Sequence, residues 1–472
     1  MWPFSNPFTV DALLKLMRSA NEPPSDENLE AQKSELISLA RDAKKEVLKQ
    51  DSRQTGVIAL PDVTPRTEKD PDATDWFVVG DLHSDYQSLS RILLKIYLRP
   101  GIDADKVRII FLGDYVDRGD RPMQVLRLLL SLKKNWPDHF WLLQGNHESY
   151  ELQEGGITVS AVSPRDTIDD WKPHFGEDVF RALTELFSAL PVVFTQSVKR
   201  SNEGFGTGKE KIIYVHGGIP RKDLIRLPLE SPECRGGFIW SDPELEKEDV
   251  IDAPGKRFSF ARKQFHEFMD HHGFSLLVRG HEWRKDGFDL HEEVKGTPHR
   301  MVTIFSCGGT FDDPEKSDSR YKSEILVPRF LHIRPKSGSD LPLSVEEVYR
   351  DDIFITGDMS AQYLSLRDRI IAILKKRFEA FDGITLNIRT DAAVSASIDK
   401  SNRYDFRDLF AGLSFKLDYG LNQYRCSILI SDHEIGSFIP DDQNIETEVD
   451  VIIKEIQTAY PIFGKLPHEY FN

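Results

Sequence analysis

Short apolar runs alternate with amphipathic segments from about residue 75 onward, and this rhythm predicts a layered core of strands and helices. Leu89, Ile92, Leu93, Ile96 and Tyr97 recur at helical spacing, which predicts a helix with one buried face. The apolar runs predict strands over residues 76–79, 107–112, 140–143, 212–215, 276–278 and 301–305. The fold class expected from the pattern alone is therefore α/β or α+β.

Two further regions flank this core. Apolar residues at helical spacing among many lysines and glutamates predict helices before it. After it, prolines and glycines mark a linker, beyond which the pattern predicts helices near residues 366–378 and 449–456 and strands near 413–417 and 426–430. The predicted division is an N-terminal helical extension over residues 1–60, a linker over 61–74, a core domain over 75–335 and a small C-terminal α+β domain over 345–472.

Charge and cysteine content narrow the functional classes. The 61 basic and 77 acidic residues give a net charge of −16, which repels nucleic-acid phosphates and anionic lipid, so neither is expected as a partner. Cys234, Cys307 and Cys426 lie far apart and form no C-x-x-C pair, so neither a disulfide framework nor a thiolate zinc site is expected. With no long apolar run and no leader-like start, the expected location is the cytoplasm.

Polar clusters follow five of the six predicted core strands. A single Gly-Asp pair after a strand is usually a turn or a helix cap. Five clusters are more informative, because the carboxyl ends of strands in open sheets can converge on one site. The clusters are Gly80-Asp81-Leu82-His83, Gly113-Asp114-Tyr115-Val116-Asp117-Arg118-Gly119, Gly145-Asn146-His147-Glu148, His216-Gly217-Gly218 and Arg279-Gly280-His281.

The side chains in these clusters suit divalent metals. They supply carboxylate and amide oxygens and imidazole nitrogens but no thiolate, a set that favours Mn, Fe or Zn. Two such ions could share one bridging carboxylate, keep a net positive charge toward a phosphate dianion, and activate water for displacement at phosphorus. The sequence therefore predicts phosphoester hydrolysis, with Asp81, His83, Asp114, Asn146, His216 and His281 as the candidate ligands.

Three neighbouring residues could take part in the reaction. Arg118 could hold two phosphate oxygens with its planar guanidinium, and a surface salt bridge is its alternative role. His147 follows a candidate ligand and could protonate the leaving alcohol, with Asp117 orienting the imidazole. A purely structural histidine is the alternative.

The same motifs resemble the phosphoprotein phosphatase family of metal-dependent serine/threonine phosphatases, within the calcineurin-like metallophosphoesterases. That family reads GDxHG, GDxVDRG, GNHE, HGG and RAH, and this chain has GDLHS, GDYVDRG, GNHES, HGGI and RGHE in the same order, with a WSDP segment at residues 240–243. The resemblance covers roughly residues 75–335. It implies a central β-sandwich flanked by helices, in four α-β-β-α layers.

The resemblance also implies roles for individual residues. One metal would be held by Asp81, His83 and Asp114, and the second by Asp114, Asn146, His216 and His281, with Asp114 as the bridge. His147 would be the general acid paired with Asp117, and Arg118 would clamp phosphate. The family has a second clamping arginine before its FxFG segment. Arg257 is the candidate here, although counting back from His281 places no arginine at the family's own position.

This chain departs from the family pattern at two places. Ser84 and Asp85 replace the glycine that follows GDxH, and they are expected to narrow the entrance and add negative charge near the metals. The family's SAPNY loop reads Ser306-Cys307-Gly308-Gly309-Thr310, so its tyrosine is missing.

The expected function is hydrolysis of phosphoserine or phosphothreonine in proteins. One alternative is hydrolysis of small phosphate compounds such as dinucleoside polyphosphates. A second alternative is an inactive scaffold that binds phosphorylated or basic partners.

Overall fold

The structure is a computed structural model that describes residues 8–64, 73–97, 102–199, 209–249, 255–291, 294, 297–308 and 328–333, and six strands between residues 343 and 438. The α-helices are α1 Val10–Asn21, α2 Leu29–Gln50, α3 Tyr86–Tyr97, α4 Pro122–Asn135, α5 Lys172–Phe175, α6 Glu177–Phe187, α7 Arg235–Trp240 and α8 Arg262–His272. Shorter helical turns span Ala104–Lys106, Asn146–Glu148, Thr167–Trp171 and Pro232–Cys234.

The strands fall into two large sheets, one C-terminal sheet and two small pairs. They are β1 Val57–Ala59, β2 Asp75–Val79, β3 Val107–Phe111, β4 Phe140–Leu142, β5 Tyr150–Leu152, β6 Thr158–Ser160, β7 Val193–Lys199, β8 Lys209–Val215, β9 Asp242–Glu244, β10 Ser259–Ala261, β11 Leu276–Arg279, β12 Phe288–Asp289, β13 Arg300–Ile304, β14 Arg329–Ile333, β15 Leu343–Glu347, β16 Ile384–Ile388, β17 Val394–Ile398, β18 Leu413–Gly420, β19 Gln423–Ile430 and β20 His433–Phe438.

Two mixed sheets form the centre of the first compact unit, which comprises residues 1–94 and 103–350. One sheet has the strand order β1-β7-β8-β11-β13-β12, and the other has the order β15-β14-β2-β3-β4. Within them, β2, β3 and β4 run parallel, as do β8, β11 and β13. The carboxyl ends of each parallel set therefore lie at one edge of its sheet.

The hydrophobic core lies between the two sheets. Val78 and Ile110 from one sheet share a buried cluster with Ile212 and Tyr214 from the other. Because side chains alternate along a strand, the neighbouring residues of β8 face outward, where Ile213 and Val215 join a second cluster with residues of α7 and α8. This arrangement confirms the predicted sandwich of sheets with helices packed outside it.

The N-terminal helices pack onto this unit. Helices α1 and α2 both contact α4, and Arg127 Nε of α4 lies 2.8 Å from Glu35 Oε2. The buried Lys133 Nζ donates to Gln50 Oε1 and, at 2.9 Å, to the carbonyl oxygen of Phe140. Strand β1 then pairs in parallel with β7. The end of the predicted extension is thus an edge strand of the six-stranded sheet.

The predicted core strands match β2, β3, β4, β8, β11 and β13, with boundaries that differ by at most three residues. The apolar stripe after β2 is helix α3, as predicted. The pattern missed β1 and β7 as well as β14, which pairs antiparallel with β2 in mid-sheet. The predicted start of the C-terminal domain at residue 345 falls inside β15, which belongs to the first unit.

The second compact unit comprises residues 95–102 and 351–472. Its described part is an antiparallel sheet in the order β16-β17-β18-β19-β20, with an irregularity between Ile428 and Leu429. Strands β18 and β19 confirm the two predicted strands. The helices predicted near 366–378 and 449–456 lie outside the described residues.

Among the described residues, no helix has the length and apolar character needed to cross a lipid bilayer.

Candidate metal centre

All six predicted ligands lie just after the carboxyl ends of parallel strands. Asp81 and His83 follow β2, Asp114 follows β3 and Asn146 follows β4 in one sheet. His216 follows β8 and His281 follows β11 in the other. A β-bridge between Asp81 and Phe305 joins the two sheets at this edge. The sandwich therefore brings together residues that are up to 200 positions apart in the chain.

Several residues at this site have an uncommon backbone conformation. His83, Asp114, Asp117, Arg118 and His281 all have positive φ angles, between 43° and 71°, a region that non-glycine residues seldom adopt. Such conformations cost free energy and persist where the surrounding structure enforces them, typically at functional sites.

The loops after β3 and β4 also depend on a close approach of two backbones. Gly113 has a φ of 110°, and a Cβ atom there would collide with the backbone of Gly145. Only glycine allows the two loops to approach this closely.

Four candidate ligand atoms converge on one point. His216 Nε2 lies 2.9 Å from Asn146 Oδ1, 3.1 Å from His281 Nδ1 and 3.2 Å from Asp114 Oδ1. Asn146 Oδ1 and His281 Nδ1 are 2.7 Å apart. Spacings of this size suit atoms that surround one ion at about 2.0–2.2 Å. These four residues are the predicted ligands of the second metal.

A second group of atoms shares Asp114 with the first. His83 Nε2 lies 3.5 Å from Asp114 Oδ2 and 3.8 Å from Asp81 Oδ2. The two oxygens of Asp114 therefore face different histidines, as a bridging carboxylate requires. Among the described residues, two groups have the spacing needed to hold a metal, one formed by His83, Asp114 and His147 and the other by Asp114, His216 and His281.

Further observations show that these residues fit metal ions. Asp81 Oδ2 is buried without a hydrogen-bond partner among the described residues, which is costly unless a ligand or ion occupies the space. The Nδ1 atoms of His83 and His216 lie 3.2 and 3.1 Å from the carbonyl oxygens of Val116 and Leu112. An Nδ1–H donor in each ring leaves Nε2 free to bind metal, as in many metal sites.

Burial and opposing charges shift the pKa values of these residues. Burial raises the pKa of Asp81 to about 6. Burial also acts to raise the pKa of Asp114, but His216 and His147 outweigh it and hold that pKa well below its usual range. Burial acts to lower the pKa of His216, but Asp114 and Asp81 bring it to about 9. Cations in this cluster would take over the role of balancing the carboxylates.

His147 and Asp117 form a buried pair beside the ligands. His147 Nδ1 lies 2.7 Å from Asp117 Oδ2, and the other carboxylate oxygen accepts from the Thr167 amide at 2.8 Å. The His147 and His83 rings meet edge to face, with centroids 4.9 Å apart. Burial acts to lower the pKa of His147, but Asp114 and Asp117 raise it above its ordinary value. The pair can thus hold a proton next to the candidate metals.

The two candidate clamp arginines lie at the edge of this centre. Arg118 is close enough to lower the pKa of His83 and of His147, and its amide donates to Asp166 Oδ2 at 3.1 Å. The Arg257 side chain is half exposed and forms a 2.5 Å ion pair with Asp242 Oδ2. The pKa of His281 is lowered mainly by burial, then by the charges of His216 and Arg279, and Arg257 makes a smaller contribution. Both arginines therefore lie where they can act on the metal-centre histidines.

One of the sequence expectations is wrong. The Asp85 carboxylate does not stand at an entrance, because it is fully buried and accepts hydrogen bonds from the Ser88 amide and hydroxyl in the first turn of α3. It also accepts from the Gly308 amide at 3.2 Å. Asp85 therefore joins the first turn of α3 to Gly308.

The structure adds residues that the sequence reasoning left without a role. Glu148 accepts hydrogen bonds from the amides of Asp114, Tyr115 and Gly145 at 2.8–2.9 Å, which holds the loops after β3 and β4 together. Asp242 lies between Arg257 and His281. Glu148 belongs to the GNHES motif and Asp242 to the WSDP motif. Both motifs could be recognised in the sequence, but neither indicates which groups the carboxylate contacts.

Comparison with known proteins agrees with this geometry. Residues 77–284 match the calcineurin-like phosphoesterase family, which confirms the resemblance predicted from the motifs. A probable serine/threonine-protein phosphatase of Encephalitozoon cuniculi is 30% identical over 261 residues, covering 53% of this chain and 49% of the relative. A serine/threonine-protein phosphatase of Caenorhabditis elegans is 27% identical over 239 residues, covering 49% and 46%.

The chain spans about half the length of these curated relatives. Among solved structures, a serine/threonine phosphatase from Saccharomyces cerevisiae with similarity to human phosphatase PP5 is 18% identical, with a TM-score of 0.48 over 67% of this chain and 89% of that one.

Proposed function

We propose that this calcineurin-like phosphoesterase domain is a phosphomonoester hydrolase that acts on phosphoserine or phosphothreonine in proteins, with two divalent ions of Mn, Fe or Zn. The observation that carries the proposal is the Asp114 carboxylate, whose two oxygens face His216 and His83 at 3.2 and 3.5 Å. A carboxylate shared by two ligand groups, beside a buried acid–base pair, is suited to phosphate ester cleavage.

The bound ions would supply Lewis acidity and a nucleophile from water at neutral pH. Asp81, His83 and Asp114 would hold one ion, and Asp114, Asn146, His216 and His281 the other. Arg118 binds phosphate oxygens, and Arg257 adds a second positive charge once the phosphate competes with Asp242 for it. These guanidiniums neutralise charge that the phosphate carries throughout the reaction.

His147 protonates the leaving alcohol. Its Nδ1 is engaged by Asp117, so Nε2 is the nitrogen that can pass a proton to the ester oxygen. Asp117 fixes the ring orientation and stabilises the imidazolium, while the Thr167 amide fixes Asp117. The proton donor is therefore held in place before the substrate arrives.

A protein substrate is supported by the names of the curated relatives, both of which are serine/threonine-protein phosphatases. An inactive scaffold is a poorer explanation, because all six ligand positions and the His147–Asp117 pair are intact. Dinucleoside polyphosphates provide the test of the small-molecule alternative.

The test uses the purified full chain, stripped with a chelator and then supplied with Mn²⁺. Activity is measured on an aryl phosphate, on phosphoserine and phosphothreonine peptides, and on a dinucleoside polyphosphate. We expect Mn²⁺-dependent hydrolysis that favours the peptides. Undiminished activity in chelator would refute the metal chemistry, and a preference for the dinucleoside polyphosphate would refute the protein substrate.

A pair of variants connects the activity to the proposed bridge. Asp114→Asn should lower metal content and turnover together, because the neutral amide removes charge from both ligand groups. Asp120→Asn, in the same loop but exposed, is the matched control and should retain both. Equal loss in the two variants would contradict the role of Asp114.

A further inference from the structure

Arg279 is a fully buried arginine at the end of β11, two residues before His281. A buried guanidinium is tolerated when its charge and its donors are satisfied. Here the partners come from several segments of the metal centre. They are Gly217 O for Nε, Glu282 Oε2 at 2.5 Å and Thr303 Oγ1 at 3.4 Å for Nη1, and Asp242 Oδ1 at 3.1 Å and Ser241 O at 3.3 Å for Nη2.

Two of these partners adjoin candidate metal ligands in the chain, and a third faces one in space. Gly217 follows His216 and Glu282 follows His281, whereas Asp242 is the first residue of β9. Asp242 Oδ1 lies 3.8 Å from His281 Nε2. The other nitrogen of that ring, Nδ1, points into the ligand cluster.

The Asp242 carboxylate is held at both oxygens. Oδ1 binds Arg279, and Oδ2 binds Arg257 at 2.5 Å. The Asp242 side chain is only 15% exposed, so these ion pairs are largely shielded from water. His281 Nε2 is buried and has no hydrogen-bond partner among the described residues, and the Asp242 carboxylate lies 3.8 Å from it.

We propose that Asp242, held in place by Arg279, is a positioning residue for His281, whose ring it orients and makes more basic toward the metal. The inference rests on the proposed function, because it assigns His281 Nδ1 to a metal. Carboxylates that face the outer nitrogen of a ligand histidine act in this way, and their loss typically lowers metal affinity by about 10- to 100-fold.

The test compares two carboxylates on the same guanidinium. Asp242→Asn removes the carboxylate charge that faces His281. Glu282→Gln removes a carboxylate charge that pairs with Arg279 but does not face a ring nitrogen of His281. Mn²⁺ affinity of the metal-free full chain is measured by competition with a chelator whose affinity is known. We expect Asp242→Asn to bind Mn²⁺ about 10- to 100-fold more weakly and Glu282→Gln to stay within about twofold of the parent chain.

Equal affinities in Asp242→Asn and the parent chain would overturn the inference, as would equal losses in both variants, which would indicate general loosening around Arg279. A parent chain that binds no Mn²⁺ would instead refute the proposed function. Circular dichroism checks the fold. If Asp242→Asn does not fold, Asp242→Glu is compared with Glu282→Asp, because both of these variants keep the negative charge. Only Asp242→Glu, which displaces the carboxylate that faces His281, should weaken Mn²⁺ binding. Equal Mn²⁺ affinities in the two variants would overturn the inference.

Discussion

The buried pair of His147 and Asp117 allows a graded prediction about proton donation. His147→Gln removes the proton donor, whereas Asp117→Asn keeps the donor and removes the charge 2.7 Å from its Nδ1. The amide oxygen of an asparagine can still accept from the Thr167 amide, which now binds Asp117 Oδ1 at 2.8 Å. The two variants therefore separate the proton from the group that stabilises it.

The structure sets the expected order of the two effects. A general acid contributes about 10²- to 10⁴-fold, which is the loss expected for His147→Gln on an alkyl phosphate. A hydrogen bond to a charged group is worth about 1.5–3 kcal/mol, or roughly 10- to 150-fold in rate. Both side chains are only 1% exposed, so solvent does not screen the pair and this range applies. Asp117→Asn should accordingly lose less than His147→Gln.

The assay compares a phosphoserine peptide with an aryl phosphate, at saturating Mn²⁺ and with metal content measured in each variant. The aryl leaving group needs little protonation, so both variants should lose much less activity on it. His174→Gln, at an exposed histidine in α5, is the matched control and should lose nothing. Equal losses on the two substrates in metal-loaded variants would refute the assignment of His147 as the acid.

Three other predictions follow from single features. Arg118→Ala should raise both KM and the inhibition constant of inorganic phosphate, whereas Arg165→Ala, at an exposed arginine, should change neither. Unchanged phosphate inhibition in Arg118→Ala would show that Arg118 has a structural role. Truncation after residue 350 keeps β15 and should leave aryl phosphate hydrolysis within a few-fold of the full chain, while activity on a phosphoprotein should fall further. A truncated chain that is folded and metal-loaded but inactive would show that the second unit takes part in catalysis. Burial lowers the pKa of Lys133 to about 7, so between pH 7 and 10.5 the unfolded chain binds a proton that the folded chain lacks. Stability should therefore rise by up to about 1.4 kcal/mol per pH unit in this range. Urea unfolding at pH 7 and 9 should show this rise in the parent chain and a smaller one in Lys133→Met, and equal slopes would contradict it.

The sequence alone determined the features that are local in the chain. Six core strands could be predicted because short, continuous apolar runs indicate buried strands without reference to the rest of the molecule. The candidate ligands could be found for the same reason, since Asp81, Asp114 and His216 each lie within three residues of a strand end. Their motifs also indicated the resemblance to calcineurin-like phosphoesterases, which the match over residues 77–284 confirms.

Only the tertiary structure decided which groups contact one another across the chain. The Asp85 carboxylate accepts a hydrogen bond from the Gly308 amide, 223 residues away, and the Asp242–Arg279 pair joins segments 37 residues apart. The short apolar run of β1 forms a strand by pairing with β7, which lies far away in the sequence. Hydrogen bonds and ion pairs of this kind depend on distances of a few ångströms between segments. Those distances are set by the packing of the two sheets, and no local pattern of residues encodes them.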